Sequence, residues 1–418
     1  MTIPRLLYDL LLYLAAPLVL LRLLWRGRRQ TDYLRHIPER FGFYADAGAH
    51  RYIWVHAVSV GETRAVEPLV RALQARYPQH RILLTHMTPT GRETGLALFG
   101  DTVTRCYLPY DYPGATRRFL KHFQPHAGLV IETEIWPNLI AAGVVLGIPL
   151  YLINARLSER SQRGYRRVGA LTRDALRGFS MIAAQTETDA LRLRELGAAQ
   201  VIVTGNIKFD VDPPAQQIAQ GLELKRTLGG RGVLLAASTR EGEEELLLDA
   251  VLRTGLHGAL LVLVPRHPQR FAAVAALVAA RNLRLQRRSD DGPVDAATDV
   301  LLGDTMGEMF FYYAACDVVL MGGSFLSYGA HNLIEPCTAG KPVIIGPSTY
   351  NFAEATDAAV AAGAAVRAAD LDGGLALALQ LAGDATQCRR MGEAGLVFTA
   401  GHRGAVQRVL ELIQPRKS

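Results

Sequence analysis

The chain has 418 residues, 49% hydrophobic and 20% charged, which allows two or three domains with cores of their own and argues against disorder. Its formal net charge of +7 suits an anionic membrane surface or a phosphorylated substrate. Nucleic acid is not an expected partner, because no binding motif for it is present and the basic residues are scattered apart from Arg22 to Arg29.

The first predicted element is "LLLYLAAPLVLL", Leu10 to Leu21, bounded by Asp9 and Arg22. Extended to Leu6–Trp25 it reaches the ~20 residues of a membrane span, though it then takes in Asp9, Pro17 and Arg22. A cleaved signal peptide carries its basic end before the apolar run, whereas here Arg26, Arg28 and Arg29 follow it. The expectation is an uncleaved anchor, either spanning or lying in the interface, with the body on the cytoplasmic side. An ordinary buried helix is the other reading.

"ERFGFY" and "AGAHR" then read as a connector. Continuous apolar runs alternate with amphipathic stretches, as in parallel sheets covered on both faces. Predicted strands in the first half are 52–58, 81–86, 103–108, 128–131, 149–154, 181–184 and 201–204. "VDPPAQQ", Val211 to Gln217, reads as a linker. Strands are predicted again at 232–237, 259–264, 283–286, 300–302, 318–321 and 342–345, and 371–412 reads as helices. The expected organisation is an anchor (1–30) and two doubly wound α/β domains (31–210 and 211–418) facing one another, with crevices at the carboxyl ends of their strands.

Candidate chemistry sits where those strands end. In "HAVSVGE", Ser59 and Glu62 fit a capping pattern. Gly61 is a poor helix former there, so Glu62 is either a cap or a proton acceptor. "VIETEIWPN" puts Glu132 and Glu134 at the end of a buried strand. "GNIKFD" puts Lys208 before the linker, with a plain ion pair to Asp210 as its alternative. Pro265 and Arg266 follow a strand in "VLVPRHPQRF", where an arginine can grip a phosphate through two donors. Met306, Gly307 and Glu308 form another turn after a strand. "MGGSFLSYGAHNLIEP" combines a strand end, a glycine turn and a helix opening at Asn332, Leu333, Ile334 and Glu335. Backbone N–H groups there suit a phosphate, and Glu335 suits ribose hydroxyls. The acidic run in "AASTREGEEE" is mostly explained by capping. No phosphate-binding P-loop, G-x-G-x-x-G or G-x-S-x-G occurs in the expected context. The cysteines Cys106, Cys316, Cys337 and Cys388 form no C-x-x-C pair and no zinc-finger spacing, consistent with a reduced, cytosolic body, and no His/Cys cluster suggests a metal.

Taken in order, "HAVSVGE", "IETEIWPN", "NARLS", "GNIKFD", "PRHPQRF", "GDTMGE" and "GGSFLSYGAHNLIEP" resemble the 3-deoxy-D-manno-octulosonic acid (Kdo) transferases of lipopolysaccharide assembly. The resemblance covers nearly the whole chain. It implies a GT-B glycosyltransferase fold of two Rossmann-like domains around a central cleft. It also implies inverting, metal-independent transfer of Kdo from CMP-Kdo to a lipid A precursor (lipid IVA) at the cytoplasmic face of the inner membrane, with no cofactor. On the matching motifs, Glu62 is implied as the proton acceptor, and Glu132 and Lys208 as transition-state stabilisers. Pro265, Arg266, Met306, Gly307, Glu308, Asn332, Leu333, Ile334 and Glu335 are implied to hold CMP. A UDP-sugar 2-epimerase on the same fold and a non-catalytic nucleotide-sugar binder are the alternatives. The number of Kdo residues added and the oligomeric state stay open.

Overall fold

Apolar residues that alternate sides along each strand feed two core layers, one on either face of a sheet. In the first strand, Tyr52 and Trp54 enter one layer while Ile53 and Val55 enter the other. The computed structural model describes residues 3–45, 48 and 50–415. It separates into two units, one taking the chain up to Asp210 plus the stretch from Arg403, the other Val211–His402.

The strands of the first unit are β1 (Tyr52–His56), β2 (Arg81–His86), β3 (Val103–Tyr107), β4 (Ala127–Ile131), β5 (Leu150–Ala155), β6 (Met181–Ala184) and β7 (Val201–Val203). They form one parallel sheet in the order β3-β2-β1-β4-β5-β6-β7. The order reverses between β1 and β4, the position at which open α/β sheets bind ligands.

The second unit carries β8 (Val233–Thr239), β9 (Leu260–Pro265), β10 (Leu285–Arg287), β11 (Val300–Leu302), β12 (Val318–Met321), β13 (Val343–Ile345) and β14 (Ala365–Arg367). The order is β10-β11-β9-β8-β12-β13-β14, again all parallel, with its reversal between β8 and β12.

Three expectations need correction. The tail from Arg403 does not belong to the second unit. Both carboxylate oxygens of Asp210 accept from its backbone, from Gly404 N at 2.5 Å and Val406 N at 2.6 Å. The helix that follows, Ala405–Leu412, buries Val406, Val409 and Leu410 in the first unit's core. The "ERFGFY" stretch is not a slack connector either. Arg40 in it is 1% exposed, with its guanidinium 3.9 Å from the centre of the Tyr107 ring, and Glu39 meets Arg92 at 2.6 Å. Residues 47 and 49 of "AGAHR" lie outside the described residues. Finally, β14 was not anticipated, because three residues on a sheet edge leave too short a pattern to read.

The N-terminal apolar run is one helix, α1 (Ile3–Arg29). It is not a buried core helix: only 11% of its most apolar window is buried.

Candidate active site

In each unit several of the candidate residues gather where the strand order reverses, while Lys208 follows β7 and Met306–Glu308 follow β11. In the first unit the chain leaves β1 and enters a short helix, α2 (Val60–Ala65), capped by Ser59. The Glu62 carboxylate folds back over this turn. It accepts from Val58 N at 2.8 Å and from the Ser59 hydroxyl at 2.9 Å, while Glu62 N donates to Ser59 Oγ at 3.4 Å. The capping reading of Ser59 and Glu62 is therefore correct as local structure. Burial, followed by the nearby Glu132 charge, pushes the Glu62 carboxyl up to about 7 against the pull of those two donors. The helix opening does not keep it fully ionised.

Glu132 lies across the reversal, directly after β4, in a left-handed conformation with φ 61°. Its backbone N–H donates to Ile153 O at 2.9 Å, which fixes the turn. Lys208 reaches Glu132 Oε1 at 2.8 Å. The alternative pair between Lys208 and Asp210 is replaced, since Asp210 serves the backbone of the returning tail. Glu134 accepts from Trp136 Nε1 at 2.8 Å, and burial raises its carboxyl above the usual range. The first unit thus brings Glu62, Glu132, Glu134 and Lys208 together at the carboxyl end of its sheet.

In the second unit, β8 ends at Thr239 and β12 at Met321, on the two sides of the reversal. Gly322 turns tightly over the end of β8. A Cβ there would sit 2.5 Å from Ser238 O, so only glycine fits. Arg266 follows β9 and donates its backbone N–H to Thr239 O at 2.9 Å. Burial and then the charges of Arg266, Arg240 and His267 hold the His331 ring down to about 3, so the imidazole is neutral. Among the described residues its Nε2 has no hydrogen-bond partner. Arg240 meets His267 Nε2 at 2.9 Å and lies 4.5 Å from the centre of the Tyr328 ring. Arg266 and Arg240 supply the charge, and the imidazoles of His267 and His331 the further hydrogen-bonding groups, of a corner beside the glycine turn.

Asn332 Nδ2 donates to Glu335 at 3.1 Å, and Asn332 Oδ1 accepts from Ile334 N at 3.2 Å. The helix opening is thus capped from within, and the helix, Ile334–Thr338, is only five residues long. Leu333 and Ile334 are 0% exposed, which leaves Asn332 and Glu335 as the half-buried side chains of that motif. In the other loop, Met306 is exposed, Gly307 has φ 85°, and Glu308 pairs with Arg288 at 3.2 Å.

Sequence reasoning passed over Arg240, His267 and Glu243. The first two follow β8 in "STREG" and β9 in "PRHP", and were legible as polar donors at strand ends. In the sequence Glu243 reads as part of a capping run. Its carboxylate instead accepts from Gly323 N at 2.7 Å, Phe325 N at 3.0 Å and Arg240 N at 2.9 Å. That long-range role has no local signal.

Two parallel seven-stranded α/β units in one chain define the GT-B class of glycosyltransferase-type folds. UDP-GlcNAc 2-epimerase from Neisseria meningitidis shares the fold with a TM-score of 0.59 over 87% of this chain and 99% of that one, at 17% identity, a likeness of fold alone. The family model described as 3-Deoxy-D-manno-octulosonic-acid transferase (kdotransferase) matches residues 35–211. The 3-deoxy-D-manno-octulosonic acid transferase of Bordetella pertussis is 46% identical across 97% of this chain and 98% of its own length. That of Haemophilus influenzae is 37% identical across 98% of each. The chain belongs to the Kdo transferase family and is a glycosyltransferase.

Proposed function

We propose that the protein transfers Kdo from CMP-Kdo to a lipid A precursor, lipid IVA, with inversion at the anomeric carbon and without a metal, on the cytoplasmic side of the inner membrane. The observation that carries this reading is Glu62, at the reversal of strand order, with a carboxyl poised near 7 and Glu132 and Lys208 beside it. An acceptor hydroxyl is a weak nucleophile until a base takes its proton, and a base works best with a pKa near the working pH. Glu62 accepts that proton as the hydroxyl oxygen bonds to the anomeric carbon of Kdo. The bond from that carbon to the CMP phosphate oxygen breaks, and its electron pair leaves with CMP.

Glu132 and Lys208 hold the charges around the reacting centre in place. Negative charge grows on the CMP phosphate. Arg266 and Pro265, with Met306, Gly307, Glu308, Asn332 and Glu335, hold the nucleotide, and the buried Leu333 and Ile334 anchor the turn that presents Asn332 and Glu335. Cationic groups fixed before the reaction offset such charge at little reorganisation cost. Arg240 and His331 extend this donor site. The membrane role rests on α1 and its basic end.

The test is incubation with CMP-Kdo and the acylated precursor, with and without a chelator, and measurement of product mass. Addition of Kdo unchanged by chelation is the expected result, and the mass gives the number of units added. Failure to transfer from CMP-Kdo, or loss of transfer on chelation, contradicts the corresponding part of the reading. Glu62→Ala is expected to keep CMP affinity and to lose transfer by about 10²–10⁴-fold.

A further inference from the structure

Surface helices of soluble proteins turn apolar side chains inward and polar ones to water. Helix α1 does the reverse. The polar residues of its first turns face the protein: Arg5 Nε donates to Asn138 Oδ1 at 3.1 Å, Tyr8 OH to Asp111 Oδ2 at 3.0 Å, and Asp9, 7% exposed, accepts from Asn138 Nδ2 at 2.6 Å. The docked side continues along the helix. Tyr13, itself more than half exposed, touches the Tyr112 ring at 5.3 Å between ring centres, Leu23 is 4% exposed, and Gly27 packs against the Leu34 side chain of the turn that follows the helix.

Leu7, Leu10, Leu14, Leu18, Leu21 and Trp25 point the other way, each more than half exposed. At 100° per residue they form one outward stripe, and 27 residues make it about 40 Å long. Asp9, the helix's one acidic residue, is buried, and Arg22 and Arg28 are exposed toward its C-terminal end.

A spanning helix would have to leave the body, strip the partners from Arg5, Asp9 and Tyr8, and carry the two charges into hydrocarbon. Here the first turns of the helix are tied to the folded unit through Arg5, Tyr8 and Asp9, and its C-terminal end packs on the turn that follows it. We infer that α1 is an in-plane docking element: it stays on the first unit and presses its leucine stripe into one leaflet of an anionic bilayer, without crossing. The occupant follows from the apolar stripe, the exposed arginines beside it and the absence of an exposed acid on the helix. This deepens the membrane part of the proposed function and rests on it.

The test uses the full chain, without substrate, on vesicles containing phosphatidylglycerol. Single cysteines replacing Leu7, Leu14 and Leu21 carry an environment-sensitive label, and lipid-borne quenchers report depth. The unsubstituted protein, whose Cys106, Cys316 and Cys337 are buried, supplies the background. The inference expects all three labels at one shallow depth, about 5–10 Å below the headgroups. Leu14 at the bilayer centre with Leu7 and Leu21 near opposite faces overturns it.

The double variant Leu10→Glu/Leu14→Glu is expected to lose vesicle binding at least tenfold while its melting temperature and its transfer to detergent-dispersed acceptor stay unchanged. Persistent binding by that variant, or a stable dimer formed through the stripe that vesicles do not dissociate, also overturns the inference. Depth is read without turnover, so a failed transfer reaction leaves this result standing.

Discussion

Glu62 is both a cap and the first candidate for the base, and one physical fact joins the two roles. The donors at Val58 N and Ser59 Oγ hold the carboxylate still, while burial and the Glu132 and Glu134 charges raise it from 4.5 to about 7. As the proton acceptor it must be ionised, so kcat/KM is expected to rise with pH and level off above a midpoint near 7. Glu134→Gln removes one of the opposing charges and should move that midpoint down. A profile flat from pH 5 to 8 would remove Glu62 from the base role.

Stability runs the opposite way. The folded-state pKa lies above the unfolded one, so the native state binds the extra proton and stability falls as pH rises from about 4.5 through about 7. Glu62→Gln should therefore melt no lower than the parent at pH 8 while losing transfer, the mark of a group held at some cost for function. Scanning calorimetry at pH 5 and pH 8 checks this.

At the scale of elements, the glycine turn after β12 shows how a loop is built to receive a ligand. Gly322 lies too close to Ser238 O for any side chain, and Glu243 gathers the N–H groups of Gly323 and Phe325 from beneath. A buried N–H left without an acceptor costs about 1–3 kcal/mol. Glu243→Ala should lower the melting temperature and weaken CMP binding at least tenfold by calorimetry, whereas Glu243→Gln, which keeps one carbonyl acceptor, should fall between. CMP affinity unchanged in Glu243→Ala would separate this loop from the nucleotide.

The strands themselves were legible, since runs such as "LLVLV" and "VVLM" are apolar throughout, as suits strands with helices on both faces. β14 was not, because an edge strand half out of the core needs no such run.

For the whole molecule, the division of the chain departs from simple succession. The last helix belongs to the first unit because Asp210 and the core around Leu69 and Val70 receive it. Asp210→Ala should strip two backbone donors of their acceptor and destabilise the first unit by about 1–3 kcal/mol, read as a shift in denaturant midpoint. An unchanged midpoint would mean that apolar packing alone holds the tail. An epimerase reading would rest on fold alone at 17% identity, while near-full-length relatives at 46% and 37% share the transferase name.

The sequence by itself determined the α/β class, nearly all the strands, the apolar N-terminal helix and the motifs around Glu62, Glu132, Lys208, Arg266 and Asn332. Each of these is written in local composition and in a period of a few residues. Tertiary structure alone decided the strand order and its two reversals, the Lys208–Glu132 pair, the hold of Glu243 on a distant loop, the return of the tail, and the face that α1 turns to the protein. Those depend on which residues far apart in the chain come within a few ångströms, and a hydrogen bond between positions 9 and 138 leaves no mark in the pattern around either.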